Sequence, residues 1–258
     1  MILEGTVLRG PDFEPVEGRV VVEDGEIAAI EEGEARSDDI VLPAFVNAHT
    51  HLGDSIAKEA GGGLSLDDLV APPDGLKHRL LREASREETV EAMHRSLRYM
   101  QSGGTAHCIE FREGGVEGVS AIREAADGLD VEPVVLGREE IEAMEASDGF
   151  GASGARDADF DHERTVTRDA GKLFGIHAGE RDSHDVNAAL DLDPDFLVHM
   201  VHAEPLHRER VADGEIPIVV CPRSNLVTGV GVPDMDELAE HTTLALGTDN
   251  VMLNSPSM

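Results

Sequence analysis

The chain has 258 residues, 40% of them hydrophobic, and carries 53 acidic against 21 basic residues, a formal net charge of −32. This length can bury a sizeable core and is typical of a single barrel of about 250 residues. So acidic a surface repels nucleic acid and anionic lipid, so we expect neither as a partner. There is no apolar run of about 18 residues and no basic start followed by an apolar stretch, so we expect no membrane helix and no secretory signal.

The acidic residues are scattered between apolar runs such as residues 218–220, which favours a folded chain with an acidic surface over a disordered one. We interpret the charge as adaptation to high salt, where screening reduces self-repulsion. Ordinary solubility is the alternative, but it does not need a charge of −32. The two cysteines, Cys108 and Cys221, are too few for a disulfide framework and fit a reduced cytoplasm.

The N-terminal segment predicts a small β region over residues 1–42. Short strands are expected at residues 2–9, 19–23 and 26–30, and Asp24-Gly25 is a hairpin signal. These strands resemble half of a β-sandwich whose other half would come later in a chain.

From residue 40 onwards, predicted strands alternate with predicted helices, which indicates a parallel sheet. Strands are expected at 40–48, 105–111, 131–136, 149–154, 173–177, 196–203, 216–221 and 243–247, and helices at 78–102, 116–126, 139–145, 161–172, 184–190, 205–212 and 235–240. Eight such strands predict an α/β fold of the (β/α)8 TIM-barrel type over residues 43–258. An open doubly wound sheet is the alternative, but no Gly-x-Gly-x-x-Gly follows an early strand. The sequence stops just past the eighth strand, so we expect the last barrel helix and the C-terminal strands to be missing.

Candidate metal ligands stand at the carboxyl ends of these strands, where barrel enzymes place their chemistry. His49 and His51 end the first barrel strand and, two residues apart, point to the same side. His177 ends the fifth strand, with Glu180 three residues on, and Asp249 ends the eighth. A single histidine or aspartate here is more often structural, but several at one end of a barrel favour a metal site.

In chain order, several segments resemble the amidohydrolase superfamily. They are residues 43–52 (first-strand signature), His177-Ala178-Gly179-Glu180 (the His-x-x-Glu of its cytosine/guanine deaminase and chlorohydrolase-like branch), residues 221–225 (the seventh-strand segment) and 247–249 (the eighth-strand aspartate). Residues 111–115 are similar to a second-strand loop of the family, with less specificity. The resemblance extends over nearly the whole chain.

The resemblance implies one divalent metal held by His49, His51, His177 and Asp249. Three nitrogen donors and one oxygen suit Zn²⁺, with Fe²⁺ and Mn²⁺ as alternatives. It also implies that Asp249 accepts a proton from an activated water and that Glu180 carries it to the leaving nitrogen.

The sixth strand offers two histidines for the place that orients the water. His199 and His202, three residues apart, face opposite sides of a strand, and both sides are apolar, so the pattern alone does not choose. We take His199, by resemblance. Two-metal members of the superfamily carry a carboxylated lysine on the fourth strand, but no lysine lies between Lys77 and Lys172, which favours one metal.

Substrate-binding candidates are Phe111, as an aromatic platform, and Arg112, Arg138 and Arg223, as clamps for a carboxylate or phosphate. Charge balance on an acidic surface is the alternative for Arg112 and Arg138. The leading hypothesis is hydrolytic deamination of an amino-heterocycle or amidine-like C–N bond in a small-molecule substrate. The alternatives are a cyclic amide hydrolase or chlorohydrolase with the same site, and a non-catalytic or truncated member. Barrel surface left bare by a missing helix predicts a homo-oligomer.

Overall fold

The computed structural model describes residues 1–71, 73–252 and 254–256, and the chain divides into two compact units, Met1–Ala44 and Phe45–Met258. The first unit is a four-stranded sheet with the order β3-β2-β1-β4, built from β1 (Ile2–Arg9), β2 (Glu14–Glu23), β3 (Glu26–Glu32) and β4 (Ile40–Val41). Asp24 and Gly25 both have positive φ, 51° and 85°, as the tight turn between β2 and β3 requires. That this sheet is half of a β-sandwich stays a prediction.

The second unit contains a nine-stranded sheet in which every pair is parallel. Its strands are β5 (Phe45–His51), β6 (Thr105–Arg112), β7 (Glu132–Gly137), β8 (Gly149–Gly154), β9 (Leu173–Ala178), β10 (Phe196–His199), β11 (Ile218–Val220), β12 (Leu244–Leu246) and β13 (Asp249–Asn250). The order runs from β12 down to β5 and then to β13. Only Gly247 and Thr248 separate β12 from β13, so the sheet curls until its two edges meet in one stretch of chain. This confirms the predicted α/β class and parallel sheet.

A side chain closes the seam between β5 and the end of β12. The Asn47 amide nitrogen donates to Thr248 Oγ1 (2.8 Å), and its oxygen accepts from the Thr248 backbone N–H (3.0 Å). At Gly247 a Cβ would lie 2.8 Å from the Cβ of His49, so only glycine lets the chain pass this close. Asn47 and residues 247–248 together form the closing seam of the sheet.

The helices of the second unit are α1 (Leu66–Val70), α2 (Leu76–Glu83), α3 (Arg86–Ser102), α4 (Gly115–Ala126), α5 (Ile141–Glu145), α6 (Asp161–Asp169), α7 (Val186–Asp191), α8 (Pro205–Asp213), α9 (Pro222–Thr228) and α10 (Met235–Ala239), with a 3-10 helix at Leu52–Ala57. The predicted helix 78–102 is two helices, because Ser85 caps α3 through a reciprocal capping box with Glu88. No helix in the described part of the chain is both long and apolar enough to cross a membrane.

Three strand predictions need correction. The predicted strand 40–48 is two strands in different units: β4 pairs with β1, and β5 begins after Pro43, which has no N–H to donate to a ladder. The predicted strand 196–203 ends at His199, where φ turns to +80°. The predicted strand 216–221 is only β11, which starts after Pro217, and the helix α9 that follows was not predicted.

The barrel interior is filled by side chains from alternating strand positions. Phe111 is fully buried there, in a cluster with Ala48, Leu136, Phe196, Val198, Val219 and Cys221. At Gly175 a Cβ would lie 2.3 Å from the ring of Phe196 and 2.7 Å from that of Phe111, so the two rings occupy the space of a missing side chain. This apolar cluster forms the floor of the barrel, beneath the polar side chains at the carboxyl ends of the strands.

Candidate metal centre and cleft

Four side chains from three strands converge at the carboxyl end of the barrel. His49 and His51 leave β5 on the same side, His177 comes from β9, and Asp249 begins β13, which pairs directly with β5. One potential ligand atom from each of the four lies within 4.8 Å of all the others. The set is the one implied by the family resemblance, and its geometry could hold a metal ion.

The ring nitrogens point toward one carboxylate oxygen. Asp249 Oδ1 lies 3.3 Å from His49 Nε2 and 3.7 Å from His51 Nε2. The Nε2 atoms of His51 and His177 are 3.3 Å apart. The four donor atoms therefore face a common point and not separate partners.

Contacts on the far side of three of the four groups, His51, His177 and Asp249, hold this orientation. His51 Nδ1 lies 3.1 Å from Glu113 Oε1, and His177 Nδ1 donates to the Ala152 carbonyl over 2.8 Å. Asp249 Oδ2 accepts from Ser224 Oγ over 2.6 Å, which leaves Oδ1 toward the histidines. With Nδ1 engaged, each Nε2 keeps its lone pair for the centre, as second contacts do in metal sites.

His49 provides the test of whether a cation fits. Its side chain is fully buried, and neither ring nitrogen has a hydrogen-bond partner among the described residues; the 3.3 Å contact with Asp249 lacks hydrogen-bond geometry. A buried polar group without a partner costs about 1–3 kcal/mol. A divalent ion ligated by Nε2 would satisfy this imidazole, so the residues fit a metal.

The protonation states also suit metal binding. Burial lowers the pKa of His49, lowers that of His51 to about 3, and lowers that of His177 well below its usual value, so the three rings are neutral. Burial alone would raise the pKa of Asp249, but the close approach of His49, together with the imidazoles of His199 and His51, holds it well below its usual value. Neutral imidazoles and an ionised carboxylate are the ligand forms that a divalent cation requires.

A second group, Glu180, His199 and Asp249, adjoins the first. Its potential ligand atoms also lie within 4.8 Å of one another, and Glu180 Oε2 is 3.6 Å from His199 Nε2. Burial raises the pKa of Glu180, which favours a carboxyl group that takes up and gives back a proton. Asn225, from α9, donates to His199 Nδ1 over 3.1 Å and so fixes the ring.

Of the two histidines of the sixth strand, the structure places His199 in this group. His199 is 1% exposed and its ring lies 5.4 Å from that of His177. His202 is half-buried beyond the end of β10 and belongs to neither cluster.

A cleft lined by His51, His177, Glu180, His199 and Asp249 adjoins these two groups, and the substrate-binding candidates lie at different places relative to it. Phe111 packs edge-on beneath His49 and His177, in the barrel floor, and not on the cleft wall. Arg112 is buried against Gly53 and bonds Glu110 and the Glu113 carbonyl, away from the cleft.

The other two arginines differ sharply in exposure. Arg138 is 9% exposed and lines the cleft beside His51 and His177. Arg223 is exposed and donates to the Ser255 carbonyl over 2.9 Å. Only Arg138 of the predicted clamps thus reaches the cleft.

Sequence reasoning gave no role to Glu113 or Lys77. Glu113 follows β6 and holds His51, and the Lys77 ammonium lies 2.8 Å from Glu113 Oε1 and 3.2 Å from Asp54 Oδ2. A signal for Glu113 was its position just past a strand end, but Lys77, on α2, stands in no recognisable motif. Asn225 lay inside a segment singled out for resemblance, without a role.

Comparisons with known proteins decide the family. The family model for the amidohydrolase family matches residues 40–181. A putative aminohydrolase of Methanothermobacter thermautotrophicus is 36% identical over 296 residues, covering 100% of this chain and 77% of that protein. The chain belongs to the amidohydrolase family. As an amidohydrolase, it is a hydrolase for carbon–nitrogen bonds.

One further sequence relative and one solved structure are similar to this amidohydrolase. The 5-methylthioadenosine/S-adenosylhomocysteine deaminase of Halobacterium salinarum is 25% identical over 304 residues, covering 97% of the chain and 68% of that protein. The atrazine chlorohydrolase of Arthrobacter aurescens, whose crystal structure contains zinc, superposes with a TM-score of 0.78 at 14% identity, covering 99% of this amidohydrolase and 73% of that chain. The first of these is a deaminase by its name, and the second, at 14% identity, shows that the fold is shared.

Proposed function

We propose that this amidohydrolase is a hydrolytic deaminase that holds one divalent metal on His49, His51, His177 and Asp249 and acts on an amino-heterocycle or amidine-like carbon. The observation that carries the proposal is the convergence of these four donors beside Glu180, a carboxyl group whose pKa burial raises. Three imidazole nitrogens and one carboxylate oxygen favour zinc, with iron and manganese as alternatives.

When bound, the metal supplies Lewis acidity, which makes a water acidic enough to yield a nucleophile near neutral pH. Asp249 is ionised and can accept the proton released from that water. Glu180 carries a proton to the leaving nitrogen, so that ammonia departs and not an amide anion. His199, held by Asn225 over 3.1 Å, lies where it can donate to the oxygen that attacks.

Deamination is preferred to its alternatives on the evidence of the sequence relatives. The Halobacterium salinarum relative, aligned with 97% of this chain, is a deaminase. The chlorohydrolase likeness at 14% identity concerns the fold alone. Dechlorination and cyclic amide hydrolysis therefore remain as outcomes that the experiment separates.

The test is ammonia release by the zinc-supplemented protein from a panel of nucleobases, nucleosides, pterins and formimino compounds. We expect ammonia from at least one class and a loss of about 100-fold or more in kcat in Glu180→Gln, because a positioned proton carrier contributes about 10²–10⁴-fold. Glu209→Gln, at an exposed site, is the matched control and keeps full activity. Chloride release or ring opening without ammonia, or silence of a folded, metal-loaded protein, would contradict the proposal.

A further inference from the structure

Two deeply buried cations stand on the cleft wall beside the histidines. Lys77 is 4% exposed and Arg138 is 9% exposed, and both line the cleft with His51 and His177. The chain has only 21 basic residues against 53 acidic ones, and a buried cation does nothing for the charge balance of an acidic surface. Their position at depth therefore calls for a partner inside the protein or inside the cleft.

The acceptors that the protein itself provides satisfy these two cations only in part. One oxygen, Glu113 Oε1, serves Lys77 Nζ at 2.8 Å, Arg138 Nη1 at 3.1 Å and His51 Nδ1 at 3.1 Å. Lys77 has Asp54 as a second partner, but among the described residues the Arg138 guanidinium has no other hydrogen-bond acceptor. Its remaining N–H donors are left for a group in the cleft, since a guanidinium carries five.

The outer cations of the cleft are different. Arg156 pairs with Asp182, and Arg181 pairs with Asp67, so each has an acid of its own. These four side chains are also partly exposed, at 33–58% of their area, so water solvates them. The N–H donors that lack an acceptor among the described residues therefore lie deep in the cleft, on Arg138 next to the candidate metal ligands, and not at the mouth.

We propose that the substrate carries a carboxylate, bound by Arg138 with the help of Lys77, next to the carbon that loses its nitrogen. A guanidinium offers two parallel N–H groups that match the two oxygens of a carboxylate, which a neutral group does not reproduce. The inference rests on the proposed function in one respect: it takes the reacting carbon to lie at the histidine and aspartate cluster.

The test compares two ligands that differ only in charge, 4-aminopyrimidine-5-carboxylate and its neutral carboxamide. Isothermal titration of the zinc-supplemented full chain is expected to show the carboxylate bound at least about tenfold more tightly, because charge-assisted hydrogen bonds are about twice as strong as neutral ones. Arg138→Gln removes this preference. Arg98→Gln, which makes the same charge change on the exposed surface of α3, keeps it. Equal affinities in the parent, or a preference that survives in Arg138→Gln, overturn the proposal.

A purely structural role for Arg138, holding Glu113 and through it His51, gives a different result. In that case Arg138→Gln lowers the zinc content per chain and weakens both ligands equally, which also overturns the proposal. Ammonia release from the same pair is measured separately. A carboxylate preference in binding without any ammonia refutes the deaminase and leaves this inference standing, whereas equal kcat/KM on both compounds does the reverse.

Discussion

His49 is the residue whose burial is hardest to explain without a cation. Its imidazole is enclosed between Phe111 and the other histidines, and neither nitrogen finds a hydrogen-bond partner among the described residues. An apolar side chain at this position would not carry the free-energy cost of burying a polar group without a partner. The ring therefore belongs to a set of ligands more than to the core.

Metal content tests this set directly. We expect about one zinc per chain by elemental mass spectrometry, in keeping with a single four-ligand site. Asp249→Asn and His177→Ala should lose it, because each removes one of four donors. His162→Ala and Asp169→Asn, both exposed on α6, are the matched controls and should retain it. A folded, zinc-supplemented parent without metal would refute the ligand assignment.

Glu113 should tune the metal without touching it. Replacing it by glutamine keeps the shape but weakens the acceptor that faces His51 Nδ1 at 3.1 Å. We expect Glu113→Gln to bind zinc about 10–100-fold more weakly in a chelator competition, the usual loss when such an outer contact is removed. Glu117→Gln, with 85% of its side chain exposed, should match the parent. Unchanged zinc affinity in Glu113→Gln would show that His51 needs no outer carboxylate.

The sequence allowed some of these residues to be predicted and not others, for a physical reason. His49, His51, His177 and Asp249 could be placed at one end of the barrel from strand periodicity, because parallel strands end at the same edge, and the family resemblance then selected them as the ligand set. Glu113, Lys77 and Asn225 reach the site from a loop and two helices. Their contacts join distant parts of the chain, and no spacing along the sequence reports such a contact.

At the scale of elements, the break between α2 and α3 shows that a capping signal in the sequence outweighs the apolar spacing that predicted one long helix. Residues 78–102 carry apolar positions near both ends, such as Leu80 and Met93, yet Ser85 and Glu88 form a capping box between them. The serine hydroxyl accepts from the Glu88 backbone N–H, and the Glu88 carboxylate accepts from the Ser85 N–H. Apolar periodicity alone cannot distinguish one long helix from two short ones in succession.

This cap can be tested by stability measurements. Ser85→Ala should lower the free energy of unfolding by about 1 kcal/mol, the usual cost of losing an N-cap side chain. Ser102→Ala is the control at the opposite end of α3, where the exposed hydroxyl only donates to the Tyr99 carbonyl, and it should cost less than about 0.5 kcal/mol. Equal losses in urea titrations of the two variants would show that the capping box adds nothing.

The sixth barrel strand was predicted too long because its end is set by the site. His199 and Met200 both have positive φ, 80° and 53°, and Asp249 has a φ of 58°. Such conformations cost non-glycine residues about 1–3 kcal/mol and persist only where the surroundings impose them. Local propensity predicts continued strand through residue 203, and only the packed barrel end makes the turn.

For the whole molecule, a net charge of −32 should make stability depend on salt. The Debye length falls from about 10 Å at 0.1 M to about 3 Å at 1 M, so repulsion between surface carboxylates weakens. We expect the midpoint of thermal unfolding to rise steadily from 0.1 to 2 M KCl, by about 2–4 °C or more, which corresponds to a gain of at least about 1 kcal/mol in a domain of this size.

The control for this effect is an uncharged osmolyte at matched water activity, such as sucrose, which does not screen charge. A midpoint that is flat in KCl, or that rises equally in sucrose, would argue against an electrostatic cause. The parallel sheet and its closure into a barrel could be predicted from the count of alternating elements. The residues that join its two edges could not, because the contact between Asn47 and Thr248 links distant positions that no local pattern contains.

The closing seam has a consequence for the order of assembly. Asn47 and Thr248 are 201 positions apart, so this pairing has almost the largest loop-closure cost that the chain offers and is expected to form late. During synthesis, β5 is the first strand of the parallel sheet to leave the ribosome. One of its edges stays unpaired until residues 248–250 emerge. An open strand edge invites wrong pairing between nascent chains. Strand β5, which carries two of the proposed ligands, is therefore the segment for which a chaperone has the longest time to act.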